Sequence, residues 1–353
     1  MRIGKHAPAV ALGIVLLLAG CAEECNAGGS SWDGGAPTDE ACAATRAELQ
    51  GLNYWIAFDS NRDGQNRDIY AMRPNGEDVR RLTTEGSVER NPKFSPDGKK
   101  IVFVSDRSGE SALYLLDLAT KEEFGPISRA GADFPDWSPD GERIAFTMDH
   151  ILFDVRPDGS NERRLADYLD LGIHIEHPVY SSDGKHILWD TAAGDGIVRC
   201  NADGSGCDEL WPWETALWIR DAPSPDPNGI SVALRVFCGP ESSDPEDPRY
   251  GGFYNSAIYV IPWNGSEGRL NETGSASVCD FGTRLTPPVE GSYYSNPRWG
   301  PGFIAMEIGE LNRVIGVMAV AASTPCHVTE GPFDDRNPAW SPEGAFIPAS
   351  AGP

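Results

Sequence analysis

Positive charge is the scarcest commodity in this chain: 29 Lys and Arg stand against 53 Asp and Glu in 353 residues, a formal net charge of −24. Binding to nucleic acid or adsorption on anionic lipid needs clustered Lys and Arg, so no nucleic-acid partner is expected, and contact with a membrane is expected through a lipid anchor only. Long apolar runs are also missing. The one run, Pro8 to Ala19, is too short to span a bilayer. No G-x-S-x-G nucleophile elbow occurs, and no room remains for the hydrolase domain that accompanies some repeat-built serine peptidases. Histidine is sparse, with six in all, and no cysteine spacing has the form of a zinc site. Neither a metal nor a cofactor is expected.

What is present begins at the N-terminus. Arg2 and Lys5 precede the apolar run, and Leu18-Ala19-Gly20-Cys21 closes it, the pattern of an export signal over residues 1–20. Those four residues resemble the lipobox of bacterial lipoproteins, which implies acylation at Cys21. Ala22 in the next position implies an outer-membrane lipoprotein facing the periplasm or the cell surface. Residues 21–52 are rich in Ala, Gly, Ser and Thr and are expected to form a flexible tether, with a reach on the order of 30 Å.

Eight cysteines less the acylated one leave seven in a compartment where disulfides persist. Cys200 and Cys207 flank a hairpin-like loop and are the first expected pair. Cys238 with Cys279 is the second, Cys25 with Cys42 would close a loop in the tether, and Cys326 would remain free.

The dominant feature is an internal repeat. Ser95-Pro96-Asp97-Gly98 recurs as Ser138-Pro139-Asp140-Gly141, as Ser181-Ser182-Asp183-Gly184 and as Ser341-Pro342-Glu343-Gly344. Each copy is a turn written in four letters, with Pro setting φ, Asp bonding backbone and Gly taking the left-handed conformation. A second proline opens each unit, at Pro92, Pro135, Pro178, Pro223, Pro297 and Pro338, in steps of 43, 43, 45, 74 and 41 residues. That period is the length of a four-stranded blade. Alternating strands such as Ile101/Phe103, Ile144/Phe146 and Ile187/Trp189 follow the turns, and Phe94, Trp137, Tyr180, Trp299 and Trp340 precede them as core aromatics. Residues 54–58 match the second strand of a unit without its first, and Asn337 to Ser341 supplies the missing piece. The expected fold is therefore all-β: a six-bladed β-propeller over residues 53–350, its C-terminal strand closing the first blade.

With Asn91-Pro92-Lys93-Phe94-Ser95-Pro96-Asp97-Gly98 running on to Phe103, and Ser60 to Met72 before it, the chain resembles the TolB-type propeller family and its WD-repeat-like relatives. The resemblance covers Tyr54 to Ser350 and is strongest over the first three units. It implies an envelope propeller that binds protein. The α/β domain preceding the family's propeller is not expected here, and a lipid signal is expected in its place.

In a propeller the innermost strands begin at the central channel, so the residues ahead of each opening proline are expected to ring one mouth. These are Glu89, Arg90 and Asn91; Asp133; His174, Glu176 and His177; Trp218, Arg220 and Asp221; Tyr293, Tyr294 and Asn296; and Asp334, Asp335, Arg336 and Asn337. Aromatics, arginines and carboxylates together make a recognition surface. The expected function is a monomeric cell-envelope scaffold that binds a protein or peptide across this rim, with no catalytic residue. The alternative is a propeller enzyme such as a polysaccharide lyase, with a metal or base at His174 or His177; on a strand those two side chains point to opposite faces. A lectin-like propeller is a third possibility, carried by the long insert Gly239 to Gly252. Asp59-x-Asn61-x-Asp63-Gly64 has the start of an EF-hand loop, but Tyr70 occupies the twelfth position, and a structural turn is expected.

Overall fold

The computed structural model describes residues 39–64, 66–167, 175–191, 197–209, 223–229, 231–238, 255–262, 283–286, 293–309, 312–320 and 325–348. Six four-stranded antiparallel sheets form the blades of a β-propeller. In blade 1 the order from the channel outward is Asp335–Trp340, Ile56–Ser60, Asp68–Met72 and Arg80–Arg81. Blade 2 follows the chain as Glu89–Phe94, Lys100–Ser105, Ala112–Asp117 and Glu123–Phe124. The innermost strands of blades 3 to 6 are Ala132–Trp137, Ile175–Tyr180, Ser224–Pro225 and Tyr294–Trp299.

Period-two alternation divides each second strand between two interfaces. Ile101 and Phe103 pack toward blade 1 with Trp55, Ala57, Ile69 and Ala71, whereas Val102 and Val104 pack toward blade 3 with Trp137, Ile144 and Phe146. In blade 1, Ile56 and Phe58 turn the other way and meet Phe303, Ala305 and Ile315 of blade 6. Strands with both faces buried must be apolar throughout, which is why Ile101 to Val104 reads as a continuous run.

The four-letter turns repeat at the level of single hydrogen bonds. In blade 2, Ser95 Oγ accepts from Lys100 N–H at 2.9 Å and donates to Asp97 Oδ1 at 2.7 Å. Ser138 with Asp140 and Ser181 with Asp183 repeat the pattern in blades 3 and 4. Gly98, Gly141 and Gly184 sit at φ of 68°, 73° and 70°, where any Cβ is strained. Ser181's hydroxyl is the main reason the Asp183 carboxyl falls to about 2 from 3.8. A depressed folded-state value stabilises above the unfolded value and is lost as pH falls through the range from about 4 to about 2. Because Asp183 is half exposed, we expect about 1 kcal/mol from this source. Ser181→Ala should accordingly lower the urea midpoint at pH 6 and flatten its decline in acid; an unchanged acid profile would refute the assignment.

Ring closure rebuilds one such turn from the two ends of the chain. Ile56 pairs with Trp340 and Ala57 with Ala339. Trp55 N–H donates to Ser341 Oγ at 2.9 Å, and Ser341 N–H to Trp55 O at 2.8 Å, the bonds that Lys100 and Ser95 make within a continuous chain.

Two expectations about the N-terminal segment are corrected. Residues 39–50 are not flexible tether: Asp39–Gln50 forms a helix, α1, docked on the seam between blades 6 and 1. Cys42, Arg46 and Leu49 recur at helical spacing; Cys42 and Leu49 are buried, Leu49 inside the blade 6/blade 1 core, and Arg46 Nη2 donates to His327 O at 3.0 Å. Cys42 is bonded to Cys326, not to Cys25, and Cys326 is therefore not free. The helix brings Cys42 beside the outer strand Cys326–His327 of blade 6, which a loop closed within the tether could not do. Cys200 and Cys207 are joined to each other. Cys21, Cys25, Cys279 and the side chain of Cys238 lie outside the described residues.

Candidate functional site

Among the described residues, the opening prolines of blades 1, 2, 3, 4 and 6 each follow a residue forced out of the ordinary strand conformation. Asn91, Phe134, His177, Asn296 and Asn337 have φ of 55°, 50°, 43°, 52° and 54°. At these points the ladder to the second strand slips, between Arg90 and Lys93, Asp133 and Asp136, Glu176 and Val179, and Ser295 and Arg298. These are β-bulges, which re-aim the side chains beside them. Asn tolerates positive φ better than other non-glycine residues, whereas Phe134 is an outlier there.

The asparagines tie blades together. Asn296 Nδ2 donates to Asn337 Oδ1 at 2.6 Å and to Glu307 Oε1 at 2.8 Å. Asn337 Nδ2 donates to Asp59 Oδ1 at 2.8 Å, and its N–H to Glu307 Oε1 at 2.9 Å. Asn91 N–H reaches Asp59 Oδ1 at 3.2 Å, and Asn91 Nδ2 reaches Asp133 Oδ1 at 2.7 Å. A continuous belt thus runs from blade 6 through blades 1 and 2 to blade 3.

Much of the expected rim is consumed by this architecture. Glu89 is fully buried and paired with Arg107. Asp335 is paired with Arg62 at 2.8 Å, and Asp334 with Arg67 at 2.9 Å and Arg336 at 2.5 Å. Tyr294 is buried, its N–H donating to Ser256 Oγ at 2.9 Å. Solvent reaches Arg90 and Asp133, which pair at 2.8 Å, together with Tyr293, Glu176, His177 and Arg336. His174, Trp218, Arg220 and Asp221 lie outside the described residues, as does the insert 239–252.

The EF-hand-like loop spends its oxygens internally. Asn61 Oδ1 accepts Asp334 N–H at 2.9 Å, Asp63 Oδ2 accepts the Tyr70 hydroxyl at 2.7 Å, and Asp59 Oδ2 accepts Arg67 Nε at 2.6 Å. Donor atoms of Glu176, His177 and Asp190 lie within 4.8 Å of one another. His177 Nδ1 is 3.0 Å from Asp190 Oδ1, the bond that fixes its ring as the asparagine amides are fixed elsewhere.

In blades 2, 3 and 6 the residue after the opening proline is charged: Lys93, Asp136 and Arg298. Lys93, Val179 and Arg298 occupy this position in blades 2, 4 and 6 and line a cavity with Asn91, Phe134, Pro135, His177 and Pro178. The enclosed space is small, about 20 Å³. The Phe134 and His177 rings meet at 4.1 Å between centroids. Asp136, the same position in blade 3, accepts Tyr180 N–H at 2.9 Å and faces Lys93. Burial first, and Arg298 second, pull the Lys93 ammonium down to about 7 against the attraction of Asp136. Burial likewise pushes the Asp136 carboxyl up, opposed by Lys93.

Residues 53–232 match the family model of the TolB beta propeller domain. The TolB homolog of Chlorobium luteolum is 38% identical over 141 residues, covering 39% of this chain and 31% of that protein. The Tol-Pal system protein TolB of Anaeromyxobacter dehalogenans (strain 2CP-C) is 32% identical over 130 residues, covering 35% of this chain and 27% of that protein. These matches span about a third of the length of the curated relatives. Among solved structures, the crystal structure of TolB from Acinetobacter baumannii has a TM-score of 0.61 at 20% identity, covering 86% of this chain and 71% of that one. A nidogen/laminin complex structure has a TM-score of 0.59 at 12% identity, covering 82% and 98%. Both structural likenesses concern the fold alone.

Proposed function

This chain belongs to the TolB beta propeller family, and from that premise we propose that it is a cell-envelope scaffold whose channel mouth binds a protein or peptide. The observation that carries the reading is the solvent-facing set Arg90, Asp133, Glu176, His177 and Arg336, which sit just ahead of the opening prolines of blades 1 to 4. Mixed charge around a concave centre with an aromatic wall suits a partner that inserts a short segment and rests its flanks on the rim. The naming of relatives as Tol-Pal system proteins supports an envelope partner. The lipobox at Cys21 supports a lipid-anchored form, acting as a monomer on the periplasmic or outer side.

Capture from detergent-solubilised envelopes tests this. The full chain should retain a partner that an Arg336→Ala variant with an unchanged melting temperature loses. Equal capture by both would place binding elsewhere. Cys21→Ala should move the protein from the membrane fraction to the soluble one, and a variant that stays in the membrane would overturn the anchor.

The Glu176–His177–Asp190 cluster favours a second reading, a propeller enzyme such as a polysaccharide lyase with a metal or base at His177. Metal analysis of the purified chain distinguishes it. A stoichiometric transition metal that disappears in His177→Ala would favour the enzyme over the scaffold.

A further inference from the structure

The bulge at the head of blade 4 undoes the alternation of its innermost strand. Glu176 and His177 are consecutive in Ile175–Tyr180, and on a regular strand their side chains would face opposite ways. The register slips between Glu176 and Val179, and His177 turns to a φ of 43°. Donor atoms of both residues thereby come within 4.8 Å of each other and of Asp190 on the second strand. Glu176 and Asp190 are also direct partners across the ladder. Like charges placed opposite each other are destabilising, and with 3% of the Asp190 side chain exposed, water screens the pair little. A divalent cation between them turns that repulsion into attraction.

A second histidine comes to the same place from the neighbouring blade. Met148 pairs with Ile151, so Asp149 and His150 form a two-residue hairpin turn in blade 3, at φ of 53° and 61°. His150 Nδ1 stands 3.8 Å from Glu176 Oε1. His177 Nδ1 is 3.0 and 3.2 Å from the two Asp190 oxygens, and the Phe134 ring packs against its imidazole. In a tetrahedral zinc site with bonds of about 2.0–2.1 Å, neighbouring ligand atoms lie about 3.3 Å apart. The separations in this cluster bracket that spacing, so small side-chain rotations bring four donors onto one ion. Blades 1, 2 and 6 place asparagine where blade 4 places His177. Asparagine would serve the turn and donate to Asp190; imidazole adds a ligand for first-row metals.

We propose that Glu176, His177 and Asp190, with His150 of blade 3 as the fourth ligand, form a site for a first-row divalent metal ion of the zinc type. The ion takes the place of the proton between His177 and Asp190, and it ties the blade 3 turn to the innermost strand of blade 4. Two imidazoles and two carboxylates select such an ion over calcium or magnesium, which take oxygen ligands. The inference deepens the second reading of this cluster by naming the donors and the class of metal, and it rests on that reading for a metal at His177. Binding does not require turnover, so a scaffold can carry the same ion.

Calorimetric titration of the EDTA-stripped full chain with zinc chloride tests this, with calcium chloride as the comparison. One zinc ion per chain should bind at least about tenfold more tightly than calcium, and zinc should raise the melting temperature. His177→Ala, Glu176→Gln and His150→Ala should each weaken zinc binding about tenfold or more. His186→Ala, at the far end of the strand that carries Asp190, should leave it unchanged. Glu176→Gln removes one of two opposed carboxylates and should melt no lower than the parent without zinc, so lost binding is separated from unfolding. Equal affinity for zinc and calcium, undiminished binding in any of the three cluster variants, or an equal loss in His186→Ala would each overturn the proposal. Zinc binding without cleavage of polygalacturonate would uphold the site and remove the lyase. Absence of zinc binding, with envelope capture still lost in Arg336→Ala, would reject the site and keep the scaffold.

Discussion

Replacing Cys326 with serine is expected to lower the unfolding free energy by about 3–4 kcal/mol, measured by urea denaturation of the full chain. The bond joins residues 284 apart in sequence, so in the chain-entropy view it removes nearly the largest closure term a domain of this size can have. Its position concentrates the effect. Cys42 and Leu49 fix α1 to the outer strand of blade 6 and to the core between blades 6 and 1, beside the blade in which strands from the two ends of the chain close the ring. Without the bond, amide exchange should rise first in Ile56–Ser60 and Asp335–Trp340, before the interior of blades 2 and 3. Cys200→Ser supplies the contrast. Its loop spans only seven positions and is already held by Asn201 N–H on Ser205 O and by Asp203 on Ser205, so a loss of about 1–2 kcal/mol is expected. If the Cys200 variant proved the less stable of the two, the seam would not be where the fold is weakest.

The sequence states the scaffold openly because a propeller repeats its instructions. Ser-Pro-Asp-Gly specifies a turn by local chemistry, and the alternation after it assigns Ile101 and Phe103 to one interface and Val102 and Val104 to the other. Closure was legible for the same reason, since residues 54–58 and 337–341 are halves of one unit. The site was legible only in outline. Residues before the opening prolines of blades 6, 1 and 2 are joined in one hydrogen-bonded belt that reaches blade 3, but their partners come from far along the chain. Asn337 and Asp59 are 278 residues apart, and nothing local to either reveals that the amide will be spent on the carboxylate. Lys93 and Arg298, one residue past the prolines, line the cavity together with Asn91, Phe134 and His177, the residues ahead of them. Aligning the repeats on proline would have exposed that column. The helix escaped because its apolar stripe is only Cys42 and Leu49 among alanines and charges, and disulfide connectivity does not follow from spacing.

Asp59→Ala is expected to cost about 3–5 kcal/mol, because it removes the acceptor on which three elements converge. Asp59 is fully buried and receives Arg67 Nε at 2.6 Å, Asn337 Nδ2 at 2.8 Å and Asn91 N–H at 3.2 Å. Alanine leaves Arg67 held only through Asp334 and the 59 carbonyl, and strands an amide and a backbone N–H away from water. Asp59→Asn should cost less, about 2 kcal/mol, since it keeps an oxygen for one donor while losing the charge. A double-mutant cycle with Arg67→Met should give a coupling above about 1 kcal/mol; additivity would mean that the pair is incidental to the ring. Asp59 binds the C-terminal strand to the N-terminal one and both to blade 2, while the Cys42–Cys326 bond secures blade 1 to blade 6 from the other side. Losing both would remove about 6–9 kcal/mol from a molecule whose total stability is expected at about 5–15 kcal/mol, so Asp59→Ala combined with Cys326→Ser should fail to close the ring at 37 °C.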